Sequence, residues 1–176
     1  MFKNILLATD GSSCAKRAAA KAAEIAATFD ARLTLVNVTS AAMMLEDVEA
    51  SPQARRLSRK AKDEIRRIHQ MIPSSSSDID INAYIPALPS ITQALGETIV
   101  DEAARIATRH KVKPRRITRV VVEGDAATQV LKQANKVKAD LIVMGTRGLG
   151  HISGMLIGGV SNKVLHNAKC PTLLVK

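Results

Sequence analysis

The stretch 140–169, DLIVMGTRGLGHISGMLIGGVSNKVLHNAK, constrains this chain most: a short apolar run, a glycine-rich loop, then a helical pattern. Leu141-Ile142-Val143-Met144 has strand length and β-branched content, whereas Val160, Val164 and Leu165 recur at helical spacing, so the loop joins a strand to a helix. Six glycines fall in it: Gly145, Gly148, Gly150, Gly154, Gly158 and Gly159. Glycine lets the backbone approach a ligand closely, and the unpaired N–H groups of a helix N-terminus attract anions. Phosphate is the expected anion; a loop that only turns the chain at the surface is the alternative. Two common phosphate motifs do not apply. From Gly154 the order is G-x4-G-V-S, with Val160 where a P-loop has lysine, and a dinucleotide fingerprint counted from Gly148 lacks its third glycine at Ser153.

The spacing that remains is Gly145-x2-Gly148-x9-Gly158. Together with Ile5-Leu6-Leu7-Ala8-Thr9-Asp10-Gly11-Ser12 at the start, Val122-Glu123-Gly124-Asp125-Ala126-Ala127 in the middle and Lys169-Cys170-Pro171-Thr172-Leu173-Leu174-Val175 at the end, it resembles the universal stress protein family. Only about 40–90 falls outside the resemblance. In the ATP-binding branch of that family this pattern follows the fourth strand and ends in Gly followed by Ser or Thr. Here Gly159 stands in the hydroxyl position and Ser161 comes two residues later. Backbone N–H groups at Gly158, Gly159 and Val160 can still hold an anion, since a main-chain site does not depend on side-chain identity.

With 176 residues the chain is expected to be one domain, 1–176, with a variable insertion at about 40–90. It has no Trp, one Tyr and two Phe, so the core must be aliphatic. Asp10 comes too early to leave the apolar core of a secretory leader, and no apolar run approaches a membrane span, so a cytoplasmic protein is expected with no membrane partner. Cys14 and Cys170 form no metal or redox motif. The net charge of +10 invites a polyanion. Half of that excess sits within 53–71, where seven Lys/Arg face Asp63 and Glu64, and a solvated helix face is favoured there over a nucleic-acid site because aromatic stacking groups are missing.

Along the chain, strands are expected over 4–9, 33–38, 117–122, 141–144 and 173–175, separated by helical patterns. Ser12 or Ser13 can cap the first helix, whose inner face is Ala15, Ala18, Ala19, Ala22, Ile25, Ala26 and Phe29. Within the insertion, 53–71 reads as a helix, 73–78 as a linker and 79–88 as unassigned or a short edge strand; Ser90 can cap the next helix, which runs to about 111. Strands alternating with helices imply an α/β fold, a five-stranded parallel sheet with helices on both faces. The resemblance implies strand order 3-2-1-4-5. In such sheets ligands bind beyond the strand C-termini where the order reverses, here between strands one and four.

The resemblance places Ala8, Thr9 and Asp10 at the adenine and ribose end, with Val38 closing the base pocket. It places Met144 and Gly145 at the ribose, and Gly148, Gly158, Gly159, Val160 and Ser161 at the phosphates. Arg147 is the candidate cation facing them, with a solvated loop arginine as the alternative. Asp10 can instead cap the first helix, and Val38 and Met144 can be ordinary core. Lys163 faces either the phosphates or water, and His151 reads as loop surface. No acid/base pair or metal-holding carboxylate lies in the loop, so magnesium would arrive on the phosphates of ATP. The function expected is a nucleotide-responsive, ATP-binding stress regulator; the alternatives are a slow ATP hydrolase and a nucleotide-free interaction protein that docks its basic insertion onto a partner. A homodimer through strand five is expected from the family, since the apolar edge Thr172-Leu173-Leu174-Val175 would otherwise be an open pairing site.

Overall fold

The computed structural model describes residues 1–40, 42–71, 85–148 and 157–176. Five strands, β1 (Asn4–Ala8), β2 (Arg32–Thr39), β3 (Ile117–Glu123), β4 (Leu141–Gly145) and β5 (Thr172–Val175), form one sheet in the order β3-β2-β1-β4-β5. All pairings are parallel, with Ile5 opposite Leu33 on one side and Leu141 on the other. Parallel neighbours need long crossovers. Helix α1 (Ser13–Phe29) carries the chain from β1 to β2, α5 (Ala126–Lys136) from β3 to β4, and α6 (Gly159–Asn167) from β4 to β5. Between β2 and β3 lie α2 (Leu45–Ala50), α3 (Arg59–Met71) and α4 (Leu88–Arg109).

Because side chains alternate along a strand, β1 serves both faces. Ile5 and Leu7 join Leu33, Leu35, Leu141 and Val143 beneath α1 and α4, while Leu6 and Ala8 join Val36, Ile142 and Met144 beneath α5 and α6. The inner face of α1 is almost pure alanine, with Ala15, Ala18, Ala19, Ala22, Ala23 and Ala26 all buried, so this helix fills its space against the sheet by lying close to it. Its cap is Ser12, whose hydroxyl accepts the Ala15 N–H at 3.2 Å. A third cluster lies on α4, where Ile91, Leu95 and Ile99 meet Leu45, Val48, Leu57, Ala61 and Ile68 of the insertion. Gly96 lets α4 approach the sheet: a Cβ there would lie 2.6 Å from Val121 Cγ1 and 2.8 Å from Asn37 Oδ1.

Three expectations need correction. The helix over 53–71 is broken: Ala54–Arg56 is a short 3-10 turn, Leu57 is extended, and α3 starts only at Arg59 with the Ser58 hydroxyl accepting the Ala61 N–H. Leu57, Ala61, Ile65 and Ile68, spaced for one helical face, nonetheless join the apolar cluster that includes Ile91, Leu95 and Ile99 of α4. Ser90 does not cap α4, which begins two residues earlier with Pro89 in its first turn; Ser90 Oγ instead donates to Ala87 O and Glu64 Oε2. Ile85–Ala87 is a 3-10 turn and not an edge strand, and the rest of 79–84, like the linker at 73–78, lies outside the described residues. The six-residue α2 is new; it is held by Asp47, whose carboxylate accepts the Met44 N–H at 2.9 Å. None of the described helices is long and apolar enough to cross a membrane.

Close packing of an alanine face makes a volume test sharp. Replacing Ala22 with Leu, where the wild-type residue has no exposed surface, should lower stability by about 1–3 kcal/mol. Replacing the exposed Ala27 with Leu should change it by less than about 0.5 kcal/mol. Denaturant unfolding of the two variants checks this.

Candidate functional site

The crossover leaving β1 covers one face of the sheet and the crossover leaving β4 covers the other, so the chain diverges between the C-terminal ends of these two neighbours. A cavity of about 390 Å³ opens there. It brings together all twelve residues singled out from the sequence. Ala8, Thr9 and Asp10 come from β1 and its exit, Val38 from β2, Met144, Gly145, Arg147 and Gly148 from β4 and its exit, and Gly158, Gly159, Val160 and Ser161 from the start of α6.

Two glycines fix how tightly this end of the sheet closes. A Cβ on Gly145 would lie 2.9 Å from Cys14 Cβ and 3.2 Å from Ala15 N, so β4 ends directly against the first turn of α1. A Cβ on Gly148 would lie 2.6 Å from Asp10 Oδ2. Asp10 itself turns the chain, since its Oδ1 accepts the Ser12 N–H at 3.0 Å while Ser12 does the capping. The motif glycine therefore lies against the carboxylate at the end of β1.

At the other end of the cavity the start of α6 supplies donors. Gly158 N–H is engaged with Thr146 O at 2.7 Å, and the first bond across the helical turn is Asn162 N–H to Gly158 O at 2.9 Å. The N–H groups of Gly159, Val160 and Ser161 thus have no acceptor within the helix, and the helix dipole adds positive potential there. The Ser161 hydroxyl is buried and donates to Gly145 O at 2.9 Å, tying α6 to the end of β4. A Cβ on Gly159 would meet nothing within 4 Å among the described residues, so a hydroxyl side chain would fit where the sequence has none. Arg147 is exposed and lines the cavity.

Lys163 does not line it. Its charge acts on Asp125, the N-cap of α5, whose carboxyl is held below the usual range chiefly by hydrogen bonds from the Thr128 hydroxyl and N–H. His151 lies outside the described residues, as do Gly150 and Gly154.

The sequence reading missed five lining residues: Ala15, Val36, Asn37, Ala126 and Val130. Val36 was available from period-two alternation, being on the same strand face as Val38, and Ala126 and Val130 are one turn apart on α5. Asn37 was marked by being the one amide in an apolar strand. It is buried, and its Nδ2 donates to Thr9 O at 2.8 Å, which braces the end of β1 from β2. Gln53 gave no sequence signal. It is 1% exposed, and its Nε2 donates to Gly11 O at 3.0 Å and to Glu102 Oε2 at 3.1 Å, while its Oε1 accepts from Ser51 Oγ at 2.9 Å. Gly11, at φ +78°, is the turn just beyond Asp10, so the insertion is bonded to the rim of the site.

A doubly wound α/β fold whose sheet reverses beside a glycine-lined crevice belongs to the class of proteins that take ligands at strand C-termini. The sequence profile described as "Universal stress protein family" matches residues 1–176, and this chain belongs to that family. A universal stress protein of Thermus aquaticus, encoded in the 3′ region of a QAH/OAS sulfhydrylase gene, is 33% identical, with all of both chains covered. Among solved structures, a universal stress protein in complex with cAMP superposes with a TM-score of 0.62 at 23% identity, covering 99% of this chain and 97% of the other. The Archaeoglobus fulgidus universal stress protein in complex with dAMP gives a TM-score of 0.57 at 15% identity, with 100% and 98% covered.

The link from the insertion to the site carries a pH signature. Burial raises the Glu102 carboxyl, but hydrogen bonds from Gln53 and Lys16 and the charges of Lys16 and Arg56 outweigh this and hold it below its ordinary value of 4.5. A lowered folded-state value gives stability that is present above 4.5 and lost as pH falls through the folded value. Glu102→Gln should therefore melt below wild type at neutral pH, and the gap should narrow as the pH falls below 4.5 and through the lowered folded-state value. Thermal unfolding of both proteins across pH reads the difference.

Proposed function

We propose that this protein is a nucleotide-responsive regulator that binds ATP in the cavity between β1 and β4. The observation carrying this reading is that one cavity has two chemically different ends. Ala8, Val36, Val38, Ala126, Val130 and Met144 offer an apolar slot for a base, while α6 presents helix N-terminal N–H groups for phosphate. Two structures of similar proteins hold adenine nucleotides with one phosphate each, which supports adenine as the base.

The glycines fit a phosphate chain: a Cβ on Gly159 would meet nothing within 4 Å among the described residues, and Arg147 adds a cation to the lining. Magnesium would enter on the phosphates, and Asp10 is the one carboxylate among the described lining residues that could meet it. That carboxylate accepts the Ser12 N–H and lies against the Gly148 backbone, a placement suited to holding the turn, and we read the protein as a switch before a hydrolase. Bound ATP would order the exit of β4 and, through Gly11 and Gln53, favour the docked insertion, a population shift that changes the surface shown to a partner. We place a second copy of the chain at β5, the sheet edge opposite β3, whose residues are half-buried in the single chain.

Denaturing protein purified without added nucleotide and identifying the released base tests the reading. Adenine nucleotide near one per chain is expected, as is saturable Mg-ATP binding by a stripped sample. Gly159→Ser should strengthen ATP binding about tenfold, the worth of one hydrogen bond to a charged group, with less gain for AMP. An empty protein that ignores Mg-ATP, with or without that substitution, would refute nucleotide binding.

A further inference from the structure

A second concavity shares no lining residue with the first. It is an open cleft of about 960 Å³ bounded by Arg56 of the insertion, Arg105 and Arg109 on α4, and Arg119 on β3, with Glu102, Ala104 and Thr108 completing the wall. Helix α4 covers the α1 side of the sheet, whereas the nucleotide cavity is lined by α5 and α6, so the two openings belong to different parts of the fold.

Four arginines line this cleft, and only two of them have a carboxylate partner among the described residues. Arg56 bonds Glu102 Oε1 at 3.0 Å, and that carboxylate is also claimed by Lys16 at 3.2 Å and Gln53 at 3.1 Å. Arg119 pairs with Asp101 at 2.8 Å. Arg105 and Arg109 have neither a hydrogen bond nor an ion pair among the described residues. They also sit one helical turn apart, an arrangement of like charges that weakens a helix on its own. The cleft therefore keeps two forks of N–H donors unspent, in a chain that already carries +10.

We propose that this cleft binds a linear oligophosphate. Guanidinium forks match phosphate oxygens two at a time, and Arg105 and Arg109 hold two such forks open one helical turn apart, with the paired Arg56 and Arg119 lining the same cleft. A chain of linked phosphates can engage them together. Among the described residues the wall has no aromatic ring for a base to stack on and only Ala104 as an apolar side chain, so charge and hydrogen bonding do the recognising.

The test is titration of the full chain with inorganic tripolyphosphate at physiological salt, following the arginine Nε–Hε signals by NMR. The signals of Arg56, Arg105, Arg109 and Arg119 should move together along one binding curve. Because both residues are exposed, Arg105→Gln with Arg109→Gln should leave the fold intact and weaken binding by about tenfold or more. Removing two charges from the exposed face of α3, Lys60→Gln with Arg67→Gln, should change it by no more than about twofold, as expected of screened distant charge. Equal weakening by both pairs would mean that net charge alone is being read, and would overturn the proposal. So would curves that leave the four arginines unmoved, or tighter binding of a single-stranded oligonucleotide of matched charge at the same residues.

Discussion

The crossovers that leave β1 and β4 run to opposite faces of a sheet whose strands are buried on both sides, and the opening between them is what the site is built from. Strand β1 has Ile5, Leu6 and Leu7 fully buried, so it must be covered above and below. Alanines on α1 cover one side and the α5/α6 pair covers the other. Once both faces are closed, the strand ends at the reversal are the place where backbone polar groups and apolar side chains meet in a concavity.

Polar side chains then hold that concavity in shape. Asn37 reaches across from β2 to the Thr9 carbonyl, Ser161 joins the first turn of α6 to the last residue of β4, and Gln53 bonds the turn at Gly11 from within the insertion. Each is buried, so each would cost stability if left unpaired, and each is paired. The three bonds join β1, β2, β4, α6 and the insertion around one opening. The insertion is thereby bonded to the rim, in addition to packing its own apolar cluster on α4.

The alternation of strands and helices and both helical faces were legible because periodicity is a local pattern, whereas the sheet order and the twelve candidate residues, which line one cavity, came from the motifs that carry the family resemblance. The long segment between β2 and β3 was less legible. A helix over 53–71 fits its apolar spacing, yet the Gln53 amide is taken by Gly11 and Glu102, partners 42 and 49 residues away, and the chain restarts its helix at Ser58. Long-range hydrogen bonding of that kind overrides local propensity and leaves no periodic trace. The same is true of the arginine cleft, where Arg56, Arg105, Arg109 and Arg119 come from three elements. The charge run at 53–71 was visible in the sequence, but only Arg56 of its seven basic residues joins the cleft. Asn37 was the most readable of the missed residues, a lone amide in a buried strand.

The most direct measurement is amide-resolved NMR of the nucleotide-stripped chain titrated with Mg-ATP. Donation from the α6 N-terminus to phosphate predicts that the amide signals of Gly159, Val160 and Ser161 shift downfield together, saturating on the same curve as the methyl signals of Val38 and Val130. ATP that leaves those three amides unmoved while it binds elsewhere would contradict the assignment of the cavity between β1 and β4.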